Sequence, residues 1–246
     1  MRFTHTIFYV LNVLAIGQSG LAAAVPKDGG ELSIRSGKID NGQTQSKNFL
    51  DGEKPLNEDL RDTKGDETSW LTSTIGSLAH TNKIADKMKQ LDTKDGVTEA
   101  EFYLIDKNGN KVTEKVKSDE TLSEIAYRDN HGWWTAGIVS AMAKLGDVKG
   151  LDGSDVPKKI SAGDPFDAYH MLTGEKAQEK KIEHPEDKDG KKQACNDLYD
   201  FFLKATEQPA VFHTKKDGFT NGASYTHDKY YTLLSVTAEG EENDRK

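Results

Sequence analysis

Cysteine is almost missing from this chain. Cys195 is the only one, so no intrachain disulfide can form. Small secreted domains usually rely on such staples, and the body reads instead as a fold of cytosolic type. Long apolar runs are scarce too. Past residue 24 nothing approaches the roughly 20 consecutive apolar residues of a membrane-spanning helix, so no membrane association is expected for the mature chain. A basic stripe is also lacking. The net charge is -8 and the two signs are interspersed, which argues against nucleic acid as a partner. No Asn-X-Ser/Thr acceptor site occurs. Mean hydropathy of -0.73 and 35% hydrophobic residues leave a modest core.

What is present begins at the N-terminus. Arg2 gives a basic start, the stretch Ile7 to Ile16 is apolar but for Asn12, and Ala22, Ala23 and Ala24 supply small residues. That order is the three-part secretory signal. A signal peptide over 1–24 is expected, cut after Ala24 or one residue earlier, and the product is expected to be secreted. Residues 25–60 are rich in Gly, Lys, Asp, Asn and Gln without hydrophobic periodicity, and read as a disordered arm. Residues 176–192 carry a dense mixture of charges and read as a linker between two halves, 61–175 and 193–238. A polar tail, 239–246, follows.

In the first half, Asp66, Glu67 and Thr68 are helix-start signals. Trp70, Leu71, Ile75 and Leu78 follow at helical spacing. Asn108-Gly109 between Phe102 and Val116 marks a β-hairpin. Trp133 to Leu145 reads as an amphipathic helix ending at Gly146, with Trp133, Trp134, Ile138, Val139, Met142 and Leu145 on one face. Asp164, Pro165 and Gly174 bracket a short helix as N-cap, first turn and stop. In the second half a helix is expected from Gln193 to Thr206, with Leu198, Phe201, Phe202 and Ala205 inward. Strands are expected at Ala210 to Thr214 and Tyr230 to Val236. The order of elements reads as α+β.

Candidate sites are few. The stretches Asp92 to Glu101 and Asp106 to Lys111 fall out of register with a calcium loop and read as turns. His80, His131, His170, His184, His213 and His227 include no helical i, i+4 pair of the kind that binds zinc. Cys195 reads as a small buried hydrophobe rather than a nucleophile. Ser69 stands at the start of the Trp70 helix, where the helix dipole favours an anion. As a single residue its expected role is capping.

Taken in order, these segments resemble the catalytic domain of calpain-type cysteine proteases, within the papain-like group. Ser69-Trp-Leu-Thr-Ser73 and Gly76-Ser-Leu-Ala79 resemble that family's nucleophile helix. Phe102 to Val116 and Ser118 to Leu122 resemble its strand pair and the Asp-rich stretch after it. Trp133 to Gly146 resembles its tryptophan helix, Ala168 to Gly174 its Leu-Thr-Gly segment, and Tyr230 to Leu234 its histidine-bearing strand. The resemblance implies a two-part papain-like core, with the helical half nearly complete and the β half cut short. It places Ser69 at the nucleophile position, Lys229 at the histidine position and Thr63 at the oxyanion glutamine. The segment carrying the family's asparagine has no counterpart.

Every matched role is therefore altered. A serine hydroxyl needs a well-placed base, and lysine serves as one only where burial depresses its pKa. Lys229 lies in a polar stretch beside Asp228. His227, two residues from Lys229 and on the same side of a strand, is the candidate substitute base. The resemblance thus implies a secreted pseudoprotease that binds a protein or peptide partner, as an effector or decoy. Two alternatives are a hydrolase using Ser69 with His227, and an unrelated secreted binding protein. No cofactor is expected: the family often uses calcium, but no ligand carries over to a residue of this chain.

Overall fold

The computed structural model describes residues 9–13, 48–50, 52–60, 66–121, 132–151, 153, 160–181, 188–205, 207–214 and 229–234. Thr63, His131, His184 and His227 lie outside them, as do most of the expected signal peptide, residues 25–47 of the arm and the tail. In chain order the elements are strand β1 (Tyr9–Val13), helix α1 (Ser69–His80), strands β2 (Met88–Lys94), β3 (Val97–Ile105) and β4 (Lys111–Lys117), helices α2 (Trp134–Leu145) and α3 (Pro165–Thr173), strand β5 (Gln178–Lys181), helix α4 (Lys188–Ala205), and strands β6 (Ala210–Thr214) and β7 (Lys229–Thr232). The chain is a mixed helix-and-sheet protein of the α+β class, with two sheets.

The first sheet is antiparallel, in the order β2-β3-β4. In its central strand the side chains alternate with period two, as a half-buried strand requires. Thr98, Ala100, Phe102 and Leu104 are buried, and the intervening residues are partly exposed. The stretch Asp92 to Glu101 is not simply a turn. Its centre, Asp95-Gly96, has φ values of 54° and 80°, a two-residue primed turn that matches strand twist, and strands run on either side of it. The second hairpin is wider than Asn108-Gly109 alone suggests. Asp106 holds it: its carboxylate accepts from Asn108 N at 2.9 Å, Asn110 N at 2.8 Å and Asn110 Nδ2 at 2.9 Å.

Helix α2 departs from the expected single apolar face. All residues from Trp134 to Ala143 are buried, so the helix is enclosed rather than laid on a surface. It packs on β3 and β4. Gly137 is what lets it do so, since a Cβ there would lie 2.5 Å from the Phe102 ring. On its N-terminal side the helix is covered by residues 48–50 and 52–60, at the end of the expected disordered arm. Phe49 is 3% exposed and Asp59 1%. Trp133 N and Trp134 N donate to the carbonyls of Asn48 and Phe49. The indole Nε1 of Trp134 donates to Asp59 Oδ2 at 2.7 Å. These residues carry no periodic pattern because they form a cover held by backbone bonds and one buried carboxylate.

Helix α3 follows its signals. Asp164 accepts from Phe166 N at 2.9 Å, Pro165 opens the helix, and Gly174 closes it with φ 76°. Between α2 and α3 the chain seats Trp70 of α1. The Trp70 indole donates to Ser161 O at 3.0 Å, and a Cβ at Gly163 would lie 2.4 Å from its ring.

The expected linker is partly structured: Gln178–Lys181 is a strand and α4 already begins at Lys188. High charge density hid both elements, because their support comes from neighbouring strands and from Phe201, which is buried. The second sheet runs β5-β1-β6-β7. β1 is parallel to β5 and to β6, and β7 is antiparallel to β6. β1 falls inside the apolar stretch expected to be a signal peptide.

Candidate functional site

Helix α1 and strand β7 meet where the sequence places Ser69 and Lys229. Leu233 N donates to Ala210 O across the β6–β7 pair at 3.0 Å. Antiparallel strands alternate the side to which their backbone groups point, so the Tyr230 N–H turns away from β6 and toward α1. There it donates to Ser69 Oγ at 3.1 Å. Ser69 is 2% exposed. It does not cap the helix as expected: Thr68 stands at the N-cap position and makes no side-chain cap bond. The Ser69 hydroxyl instead serves the side of β7 turned away from β6.

A second bond lies one turn along. Thr232 Oγ1 donates to Ser73 O at 3.0 Å. Gly76 completes the approach, because a Cβ there would lie 2.8 Å from Thr232 Oγ1 and 2.6 Å from Asn57 Oδ1. Ser69, Ser73 and Gly76 are spaced i, i+4, i+7, which puts three small residues on one stripe of α1. Sequence reading took Ser69 alone and passed over the stripe and Thr232, although the spacing was there to see.

Strand side chains alternate between the two faces of a sheet. His213 and Tyr230 stack as a cross-strand pair, with ring centroids 4.3 Å apart and 22° between planes. Phe212 and Tyr231 stack at 5.1 Å and 17°. The Lys229 ammonium stands 5.8 Å from the centroid of the Tyr231 ring, within cation–π range. Lys229 is 9% exposed, whereas its polar neighbours had suggested an open position.

The structure therefore brings Ser69 and the backbone of the Lys229 strand together. Of the sequence candidates among the described residues, His213 comes near through its stack on Tyr230, and His80, His170 and Cys195 lie elsewhere. His80 ends α1, exposed. His170 lies on α3, with Nδ1 3.4 Å from Glu175 O. Cys195 lies on α4. Among the described residues no group of three or more His, Cys, Asp or Glu side chains is placed to hold a metal ion, and no helix is long and apolar enough to cross a membrane.

One open cleft of about 390 Å³ lies elsewhere, beside the first sheet, lined by Asn48, Phe49, Leu50, Gln90, Thr93 and Thr98 among others. No sequence signal marked it, because it forms between the returning cover segment and the edge strand β2. Near the end of α3, the Tyr169 phenol donates to Glu175 Oε2 at 2.9 Å. Burial, and then that carboxylate, push its pKa above the ordinary tyrosine value.

No protein-family model matches the chain, and a comparison with curated proteins finds no match.

Proposed function

We propose that this chain is a secreted, calpain-like pseudoprotease that acts by binding a protein or peptide partner and not by cleaving it. The observation that carries this reading is the bond from Tyr230 N to Ser69 Oγ at 3.1 Å, in a residue 2% exposed. A nucleophile must present its oxygen to a substrate carbonyl and have a base within about 3 Å. This hydroxyl is enclosed between a helix and a strand edge and already accepts a backbone donor.

The residue at the histidine position, Lys229, sits beside the Tyr231 ring, where its cation has a favourable partner. Both substitutions thus supply packing and hydrogen bonding where the resembled family has chemistry. The resemblance in segment order, with the serine helix against the tyrosine strand, supports the calpain-like reading. The expected leader supports secretion.

The test is a peptide-library cleavage assay on the secreted protein and its Ser69→Ala variant. No cleavage by either is expected, with or without calcium. Cleavage by the wild type that disappears in S69A would overturn the pseudoprotease reading in favour of the serine hydrolase.

A further inference from the structure

The first sheet has a covered face and an open one. Thr98, Ala100, Phe102 and Leu104 of β3 are buried, on the side where α2 packs. The alternate residues, Val97 to Ile105, are partly exposed and share the other face. Residues directly opposite in an antiparallel pair lie on the same face. On β4, Lys117 is opposite Glu99, Lys115 opposite Glu101 and Lys111 opposite Ile105. On β2, Lys89 is opposite Glu101 and Lys94 opposite Val97. All five lysines are exposed. The strand period thus sorts charges that the sequence intersperses. In a chain of net charge -8, this face sets five lysines against two glutamates.

Most of these cations are not neutralised. Glu101 takes Lys115 at 3.5 Å, and Glu120 at the rim takes Lys117 at 3.6 Å. Among the described residues Lys89, Lys94 and Lys111 enter no ion pair. The lysines stand in two rows, on β2 and β4, about 10 Å apart given the usual strand spacing. Glu99 and Glu101 lie between the rows, on β3.

We infer that this face docks an extended acidic segment of a partner protein, laid along β3 with its carboxylates reaching the lysine rows on either side. The inference rests on the reading of the chain as a binder of protein or peptide, and gives that binder a surface. An extended segment sends successive side chains to opposite sides, so neighbouring acidic residues meet opposite rows. Its backbone is neutral where it crosses Glu99 and Glu101, and its N–H groups can donate to those carboxylates. A nucleic-acid backbone would instead bring phosphate charge onto the same two glutamates. That difference selects the peptide. The net negative charge of the chain repels an acidic partner from other surfaces and steers it to this one.

The test titrates the purified full chain with a fluorescent peptide as long as β3, nine residues, in which Glu-Glu-Ser repeats. The same peptide with Gln for Glu, a single-stranded oligothymidylate and phosphatidylserine vesicles are the other probes. Saturable binding of the acidic peptide is expected, weakening as salt is raised, with the Gln peptide about tenfold weaker. Lys89→Glu with Lys111→Glu should lower the affinity about tenfold. Lys54→Glu with Lys149→Glu makes the same change in net charge at exposed lysines outside the sheet. That pair should leave the affinity within about twofold. Equal losses in the two double variants would overturn the proposal, as would no binding, or tighter binding of the oligothymidylate or the vesicles. Where charge reversal beside Glu101 unfolds the sheet, as read by circular dichroism, Lys89→Gln with Lys111→Gln takes its place and must still weaken binding about threefold.

A mass spectrum of the peptide after titration separates this inference from the proposed function. Cleaved peptide overturns the non-cleaving reading and leaves the docking face standing. Intact peptide without binding overturns the docking face and leaves that reading standing.

Discussion

At the scale of single residues, a buried hydrogen bond joins Ser69 to the strand of Lys229, the positions that the sequence offers as candidate catalytic groups. Ser69 is the clearest case. Removing its oxygen takes away the acceptor that Tyr230 N–H faces, and weakening a buried bond of this kind costs about 1 to 3 kcal/mol. Urea unfolding of S69A should show that loss, whereas a catalytic serine would leave stability nearly unchanged. Asp106 carries a pH signature. Hydrogen bonds from Asn110, then from Asn108, hold its carboxyl below the ordinary carboxylate value. The folded state therefore binds fewer protons than the unfolded state at acid pH. Its contribution is present above the unfolded pKa of about 3.9 and disappears as pH falls through the lower folded value. Acid unfolding of Asp106→Ala should lack that part of the pH dependence. Asp167 works the other way. Burial and nearby Asp164 raise its pKa, so its charged form opposes folding as pH rises past the unfolded value.

At the scale of elements, the core depends on close approaches between helices, loops and rings. Trp70 is held by Ser161 O and lies against Gly163. Gly163→Ala should cost about 1 to 3 kcal/mol through overpacking, read as a lowered melting temperature, because neither the indole nor the backbone has room to move. The cover segment over α2 depends on Asp59, whose carboxylate takes the Trp134 indole and the Leu56 N–H. Asp59→Ala should destabilise by about 1 to 3 kcal/mol, and Asp59→Asn, which keeps an acceptor oxygen, by less. Tryptophan fluorescence during urea unfolding would separate the two. Helix α3 was legible because its cap, proline and glycine are local signals, and α1 because its apolar periodicity is. The Asp95-Gly96 turn carries an equally local signal, an Asp-Gly pair between two strands. The cover formed by residues 48–50 and 52–60 was not legible, because its order comes from bonds to Trp133 and Trp134, more than 70 residues away along the chain.

At the scale of the whole molecule, the second sheet pairs β1, near the N-terminus, with β5 and β6, and the proposed secretion makes its own prediction about that end of the chain. N-terminal sequencing of the secreted product should find Val25 or Ala24 first, as the small residues Ala22 to Ala24 predict. The sequence by itself determined the short helix between Asp164 and Gly174, the Asn108-Gly109 hairpin, the strand at Ala210 to Thr214 and the exclusion of an intrachain disulfide. Each follows from interactions within a few residues, or from composition. Only the tertiary structure decided that Ser69 meets Tyr230, that Lys229 is buried beside an aromatic ring, and that β1 completes a sheet in the middle of the order β5-β1-β6-β7. A backbone donor at a strand edge has no residue type to announce it, and pairing between strands about 200 residues apart is set by the surface they bury together, not by any local spacing.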